Sequence, residues 1–222
     1  MILGAHNSIA GGIHNAVTEA QQIGGEVMQI FCKNQRQWKA QDLTEEEIQT
    51  YKDAAQAANM GPVMVHDSYL INMGGPDDEK RARAQDAFLH ELQRCEALGV
   101  AFLNFHPGSH THPSKPKRDD RDVRFAALDR IAECVNNVHD ELPGSVKFVI
   151  ENAAGQGTNV GHNWEEVGYL ADQLPQDRLG ICVDTQHSFA AGYDWSKYDE
   201  VWDEFDQFVG LKRLAAFHIN DS

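Results

Sequence analysis

Short apolar runs alternate with amphipathic stretches along the whole chain. The clearest run is Val146-Lys147-Phe148-Val149-Ile150-Glu151-Asn152. It is β-branched and aromatic, of strand length, and it closes on an acid, which reads as a strand buried on most sides. Other runs end in the same way. Leu3 to Ala5 leads to His6, Val63 to Val65 leads to His66, and Phe102 to Phe105 leads to His106. Ile181 to Val183 leads to Asp184, with His187 just beyond, and Ala215 to Phe217 leads to His218. Val27 to Phe31 is a further strand.

Helical spacing fills the intervals. Ile13 to Gly24 stops at Gly24-Gly25. Thr44-Glu45-Glu46-Glu47 opens a helix with a capping box, and that helix runs to about Asn59 before Gly61-Pro62 breaks it. Asp77 to Leu98 carries an apolar stripe through Ala84, Phe88, Leu92 and Cys95, and Gly99 ends it. Helices follow over Val123 to Leu142, Trp164 to Leu174 and Tyr198 to Val209. The polar, proline-bearing segment His110 to Asp122 reads as a surface loop, and Ala153 to Gly161 as a glycine-rich one.

Strand–helix alternation implies a parallel sheet, because crossover helices join strands that run the same way. Closed into a TIM (β/α)8 barrel, such a sheet brings the C-terminal strand ends to one face, where catalytic groups collect. Seven strands can be counted where the closed barrel has eight. The expectation is one domain over residues 1–222 that lacks the last strand and its helices.

Composition narrows the class. A chain of 222 residues is enough for one sizeable core. Its apolar runs are too short to span a bilayer, and the N-terminus lacks a basic region followed by a long apolar one. Cys32, Cys95, Cys134 and Cys182 form no CxxC pair and suggest neither a zinc knuckle nor a disulfide framework. Buried free thiols and a cytoplasmic location are expected. The formal net charge of -15 argues against a nucleic-acid partner. Cations held by carboxylates and histidines reverse that sign locally.

The strand-end residues carry the candidate chemistry. His66, His106 and Glu151 suit zinc or a similar divalent ion. A single such histidine is more often a hydrogen-bonded core or surface residue. A set is different, since burying several charged groups together without a cation is expensive. Asp184 ends its strand and His187 lies one turn on, although a helix N-cap explains Asp184 equally well. If Glu151 bridges, one ion is held by His66, His106 and Glu151, and a second by Glu151, Asp184 and His218. Two ions about 3.5–4 Å apart clamp an in-line phosphoryl displacement. His6 is expected to support the ligands from behind. His14, His90, His139 and His162 are expected in solvent, and His110 and His112 in a mobile loop.

Two loops suit a polymeric substrate. Lys33-Asn34-Gln35-Arg36-Gln37-Trp38 combines cations, amides and an aromatic ring. His66-Asp67-Ser68-Tyr69-Leu70 places an aromatic and an aliphatic side chain beside the ligands. Arg, Tyr and Leu serve as wedges between bases, and amides reach phosphates. Plain loop packing is the competing explanation for Tyr69 and Leu70.

Together these segments resemble the endonuclease IV family of zinc-dependent apurinic/apyrimidinic endonucleases. The resemblance is carried by Gly4-Ala5-His6, the Lys33 to Trp38 loop, His66 to Asn72, and Leu103 to His110. It continues through Ile150-Glu151-Asn152 with Ala154 to Gly157, Asp184 to His187 with Phe189 to Asp194, and His218-Ile219-Asn220-Asp221-Ser222. It implies a TIM barrel with three zinc ions, Mn2+ being an alternative, on His66, His106, Glu151, Asp184, His187 and His218. It implies cleavage by metal-activated water on the 5′ side of an abasic site, leaving a 3′-hydroxyl and a 5′-deoxyribose phosphate. Glu151 is then the catalytic carboxylate that bridges two ions and orients the nucleophile. Arg36, Tyr69 and Leu70 match the residues such enzymes push into DNA, with Asn34 beside them. The implied partner is double-stranded DNA with abasic sites, bound by a monomer away from membranes.

The sequence departs from the family where an Asp-x-His pair and a final Glu, all metal ligands, follow the Asn220-Asp221-Ser222 segment. The chain is therefore expected to be a fragment that is poorly active or inactive. Gln186 is a minor departure. Two other readings compete. One is a metal-dependent sugar isomerase or epimerase of the same fold, which has no reason to display Arg36, Tyr69 and Leu70. The other is an inactive lesion-binding fragment, which binds without incision.

Overall fold

The computed structural model describes residues 2–114 and 119–220. Seven strands lie side by side in chain order: β1 (Gly4–His6), β2 (Val27–Phe31), β3 (Val63–His66), β4 (Phe102–Phe105), β5 (Lys147–Glu151), β6 (Leu179–Asp184) and β7 (Leu214–His218). Every pairing between neighbours is parallel. The helices between them are α1 (Ile13–Gln22), α2 (Glu45–Ala57), α3 (Asp78–Leu98), α4 (Arg121–Glu141), α5 (Trp164–Asp172), α6 (Thr185–Ala190) and α7 (Tyr198–Phe208). This is a TIM barrel with seven of its strands, and among the described residues no strand pairing joins β1 to β7. The strands next to that gap are the exposed ones, while β3 and β6 are buried throughout.

The two-residue period of a strand sorts its side chains. Val65, Leu103, Phe105, Phe148, Ile150, Ile181 and Val183 belong to the large core that packs strands against helices. Phe88 of α3 sits at its centre, fully buried, with its ring 5.3 Å from Phe105 and 6.0 Å from Phe148. The alternate set faces the barrel axis. Met64, Val149 and Cys182 pack there with Phe102 and Ala216. One step further toward the C-terminal ends, the same inward set becomes His66, Asn104, Glu151, Asp184 and His218. Register fixes this layer, since His66 lies opposite Asn104 and Asp184 opposite His218.

The helix signals act as the sequence indicates. Thr44 and Glu47 make a reciprocal capping box on α2. Asp77 caps α3, which ends at Gly99 with φ 72°, a left-handed conformation that only glycine adopts without strain. Helix α6 is not among the helices that the apolar spacing predicts, because six residues are too few to show a helical period. The four cysteines are free and buried. Among the described residues no helix is long and apolar enough to cross a membrane. Residues 115–118 of the expected polar loop lie outside the described residues, as do 221 and 222 of the last family-like segment.

Candidate metal centre and nucleic-acid face

Glu151, at the tip of β5, is 1% exposed and is the hub of the strand-end layer. One oxygen, Oε1, lies 3.0 Å from His218 Nδ1, 3.3 Å from His187 Nδ1 and 3.8 Å from His106 Nε2. The other, Oε2, lies 3.4 Å from His66 Nε2 and accepts a hydrogen bond from Asn104 Nδ2. Burial alone would raise the Glu151 pKa. Hydrogen bonds from His187, His218 and His66 outweigh it and hold the carboxyl well below its usual range.

Asp184 serves in two ways at once. Its Oδ1 accepts from the His187 backbone N–H at 2.8 Å, capping α6, so the helix-cap explanation is correct. Its Oδ2 faces the bowl, 3.8 Å from both His187 Nδ1 and His218 Nδ1, and accepts from Asn220 Nδ2 at 2.6 Å. Asn152 ties β5 to β6 through Asp184: its Oδ1 accepts from Asp184 N at 2.7 Å, and its Nδ2 donates to Asp184 O at 3.3 Å.

The imidazoles divide by surroundings. Burial pushes His106 down to about 4, with Glu151 opposing. For His187 and His218 burial also lowers the pKa, but the hydrogen bond to Glu151 and the nearby Asp184 charge win, and both are raised. His66 donates from Nδ1 to its neighbour Asp67 O at 2.8 Å, which turns its Nε2 toward Glu151. His6 joins from behind: its Nδ1 accepts from Gln29 Nε2 at 2.9 Å, and burial lowers its pKa to about 4.

The donor set fits divalent ions. Candidate ligand atoms lie within 4.8 Å of one another in His66, His106 and Glu151, in Glu151, Asp184 and His187, and in Glu151, Cys182 and His218. Imidazole, carboxylate and thiol are donors that zinc accepts. Glu151 belongs to all three groups. His187 points into the same bowl as the others, and Cys182 reaches it from the layer below, with its thiol pushed well up by burial. The bowl opens into a cavity of about 1300 Å³ that continues down the barrel axis past Met64 and Phe102.

Of the expected DNA-facing residues, Tyr69 lines this cavity. Asn34 and Arg36 are exposed, and Leu70 is half-buried. Tyr69 is 65% exposed, with its ring 5.2 Å from that of His66. Ser68 Oγ donates to Gln35 O at 2.6 Å and ties the two loops together. Lys33 differs from expectation: it is 4% exposed and pairs with buried Glu91 at 2.8 Å, so its charge anchors the loop base. Trp38 is half-buried under the Arg83 guanidinium.

Five histidine expectations fail. His110 is 1% exposed, because the bridge between Ser109 and Asn159 folds its loop onto the glycine-rich one. His162 is only partly exposed and lies 2.6 Å from Arg124 Nη2, in a buried network with Glu166. His14, His90 and His139 are half-buried. The residues the sequence reading gave no role are Gln29, Asn104, Asn152 and Asn220, which hold the ligands in place.

A parallel barrel with histidines and carboxylates gathered at its C-terminal strand ends belongs to the xylose isomerase-like TIM barrels, and that family matches residues 17–222. Within that class the chain belongs to the endonuclease IV family, one of metal-dependent nucleases. It is 44% identical to the probable endonuclease 4 of Phocaeicola vulgatus, over 99% of this chain and 77% of that protein. It is 43% identical to that of Chlorobium phaeobacteroides, over 99% and 76%. The crystal structure of endonuclease IV from Thermus thermophilus matches with a TM-score of 0.84 at 30% identity, covering 99% of this chain and 77% of that one. D-psicose 3-epimerase matches with a TM-score of 0.71 at 12% identity, over 97% and 72%, and shares the fold alone.

Proposed function

We propose that the chain is a DNA repair endonuclease that cuts duplex DNA at abasic sites, on the 5′ side of the lesion, leaving a 3′-hydroxyl and a 5′-deoxyribose phosphate. The observation that carries this reading is the shared bowl. Four imidazoles and two carboxylates converge on it, with exposed Tyr69 lining the cavity above them. His66, His106, Glu151, Asp184, His187 and His218 would hold divalent ions, zinc by their donor chemistry, with Mn2+ as the alternative. Ions bound there supply charge neutralisation at the phosphoryl oxygens and an acidified water.

The protein's own part is orientation. Asn104 fixes one Glu151 oxygen, so the other stays turned toward His187 and His218. The Asp67 carbonyl fixes the His66 tautomer with Nε2 free. Asn34 and Arg36 reach the phosphate backbone and the helix interior, while Tyr69 and Leu70 fill the space left by an extruded nucleotide. Extrusion costs least where a base is already lost, and that gives selectivity. A net charge of -15 disfavours DNA everywhere except at a cation-bearing mouth.

The test is incision of a duplex carrying one abasic analogue by the metal-loaded chain, with and without chelator. Whatever incision occurs, strong or weak, is expected as a single cut 5′ to the lesion, abolished by chelation, with an undamaged duplex left whole. Lesion-selective binding without any incision would assign the chain to the lesion-binding reading. Turnover of an aldose, with DNA untouched, would assign it to the sugar reading.

A further inference from the structure

His218 stands on β7, whose outer edge has no neighbouring strand among the described residues. The ring is held from the far side of the gap. Gln29 of β2, 189 residues away in sequence, accepts from His218 Nε2 through Oε1 at 2.7 Å. The same amide donates through Nε2 to His6 Nδ1 on β1 at 2.9 Å. One half-buried side chain thus links β1, β2 and β7 across the open side of the barrel.

The direction of these bonds matters. His218 Nδ1 is the atom that faces Glu151, at 3.0 Å, and Asp184, at 3.8 Å. To ligate through Nδ1, a neutral imidazole must carry its proton on Nε2. The opposite tautomer would donate from Nδ1 to Glu151 and offer no lone pair. We propose that Gln29 is a positioning residue of the metal centre, which keeps the His218 proton on Nε2 and its ring turned so that Nδ1 is presented as a ligand. His6 completes the arrangement. By accepting the amide N–H, it turns the Gln29 carbonyl toward His218 and so fixes which end of the amide meets which ring. The inference rests on the reading of the bowl as a metal site and names what orients one of its ligands. Outer residues of this kind act through ligand basicity and ring orientation, and their loss costs about 10–100-fold in metal affinity.

The experiment is competitive titration of the metal-free full chain with Zn2+ against a chelating dye, for the wild type, Gln29→Met and Gln29→Glu. Gln29→Met keeps the length and shape and removes the acceptor. Gln29→Glu keeps an acceptor, and His6 adapts by moving its proton to Nδ1. The expected result is that Gln29→Met weakens one zinc ion about 10–100-fold and leaves the ion at His66 and His106 unchanged. Gln29→Glu is expected to restore wild-type affinity. In the zinc-loaded wild type, a protected His218 Nε2–H appears in long-range 1H–15N spectra, and it is lost in Gln29→Met. Circular dichroism and melting confirm that both variants fold. Wild-type affinity in Gln29→Met, or a Gln29→Glu variant as weak as Gln29→Met, would overturn the role of Gln29 while leaving the metal site standing. A wild type that binds no zinc would remove the site itself, and the inference with it.

Discussion

Glu151→Gln is the most informative single change to this molecule. It preserves shape and the acceptor for Asn104, and it removes the one charge that every donor group shares. Glu151 is 1% exposed, with imidazole nitrogens of four histidines 3.0–3.8 Å from its oxygens. All three candidate ligand groups contain it and drop to two strong donors without it. A residue that merely supports a ligand is worth about 10–100-fold in metal affinity. A shared ligand is worth at least the upper end of that, so the floor is ~100-fold, about 2.7 kcal/mol, for each ion it touches. The assay is metal content after equilibrium dialysis against a chelator-buffered Zn2+ series, with exposed Glu46→Gln as the control. The expected result is loss of every ion over the range where the wild type and Glu46→Gln remain loaded. A Glu151→Gln protein that keeps its full complement would refute the claim that this carboxylate joins the ions together.

Tyr69→Ala removes a ring that is 65% exposed and rests on His66; it should weaken abasic-duplex binding by about 1–3 kcal/mol, the size of one stacking contact, with metal content unchanged, as fluorescence anisotropy and metal analysis would show. Arg36→Ala should lower the preference for abasic over intact duplex while leaving the folding stability within about 0.5 kcal/mol of wild type, as expected for an exposed residue; equal loss on both duplexes would contradict its role as a wedge. Glu166 concerns stability. Burial would raise its pKa, but hydrogen bonds from Arg124 and His162 lower it from 4.5 to about 2. Its folded pKa lies below its unfolded one, so its stabilisation is complete above 4.5 and is lost as pH falls toward about 2. That window corresponds to about 3 kcal/mol, and urea unfolding should show the gap between wild type and Glu166→Gln narrowing by that amount across it. A gap that does not change with pH would exclude the ion pair as its source.

Much of this architecture can be read in the chain because strand-end polarity is a local signal. His66, Glu151, Asp184 and His218 each close an apolar run, and the parallel register then forces them into one layer. The C-terminal ends of β6 and β7 follow directly from their runs, and the capping box of α2 marks its start. What the chain hides depends on partners far away in sequence. Gln29 looks like a lone polar residue in a strand until β7 arrives beside it, 189 residues later. Asn104 is likewise inconspicuous until Glu151 lies next to it. Lys33 reads as a DNA contact because it sits among amides and arginine, and only α3 reveals Glu91 as its partner. His110 reads as mobile because its neighbours are prolines and polar residues, and only the bridge to the glycine-rich loop buries it. Asp184 shows that two explanations for one residue need not compete, since its two oxygens serve a helix and the bowl separately.

The most direct test of the account is an anomalous-scattering crystal structure of the chain grown with Zn2+. The account predicts strong zinc peaks in the bowl, one of them about 2.0–2.2 Å from ligand atoms of His66, His106 and Glu151, with Glu151 shared between neighbouring ions. An empty bowl at saturating Zn2+, or zinc bound only at surface carboxylates, would contradict it.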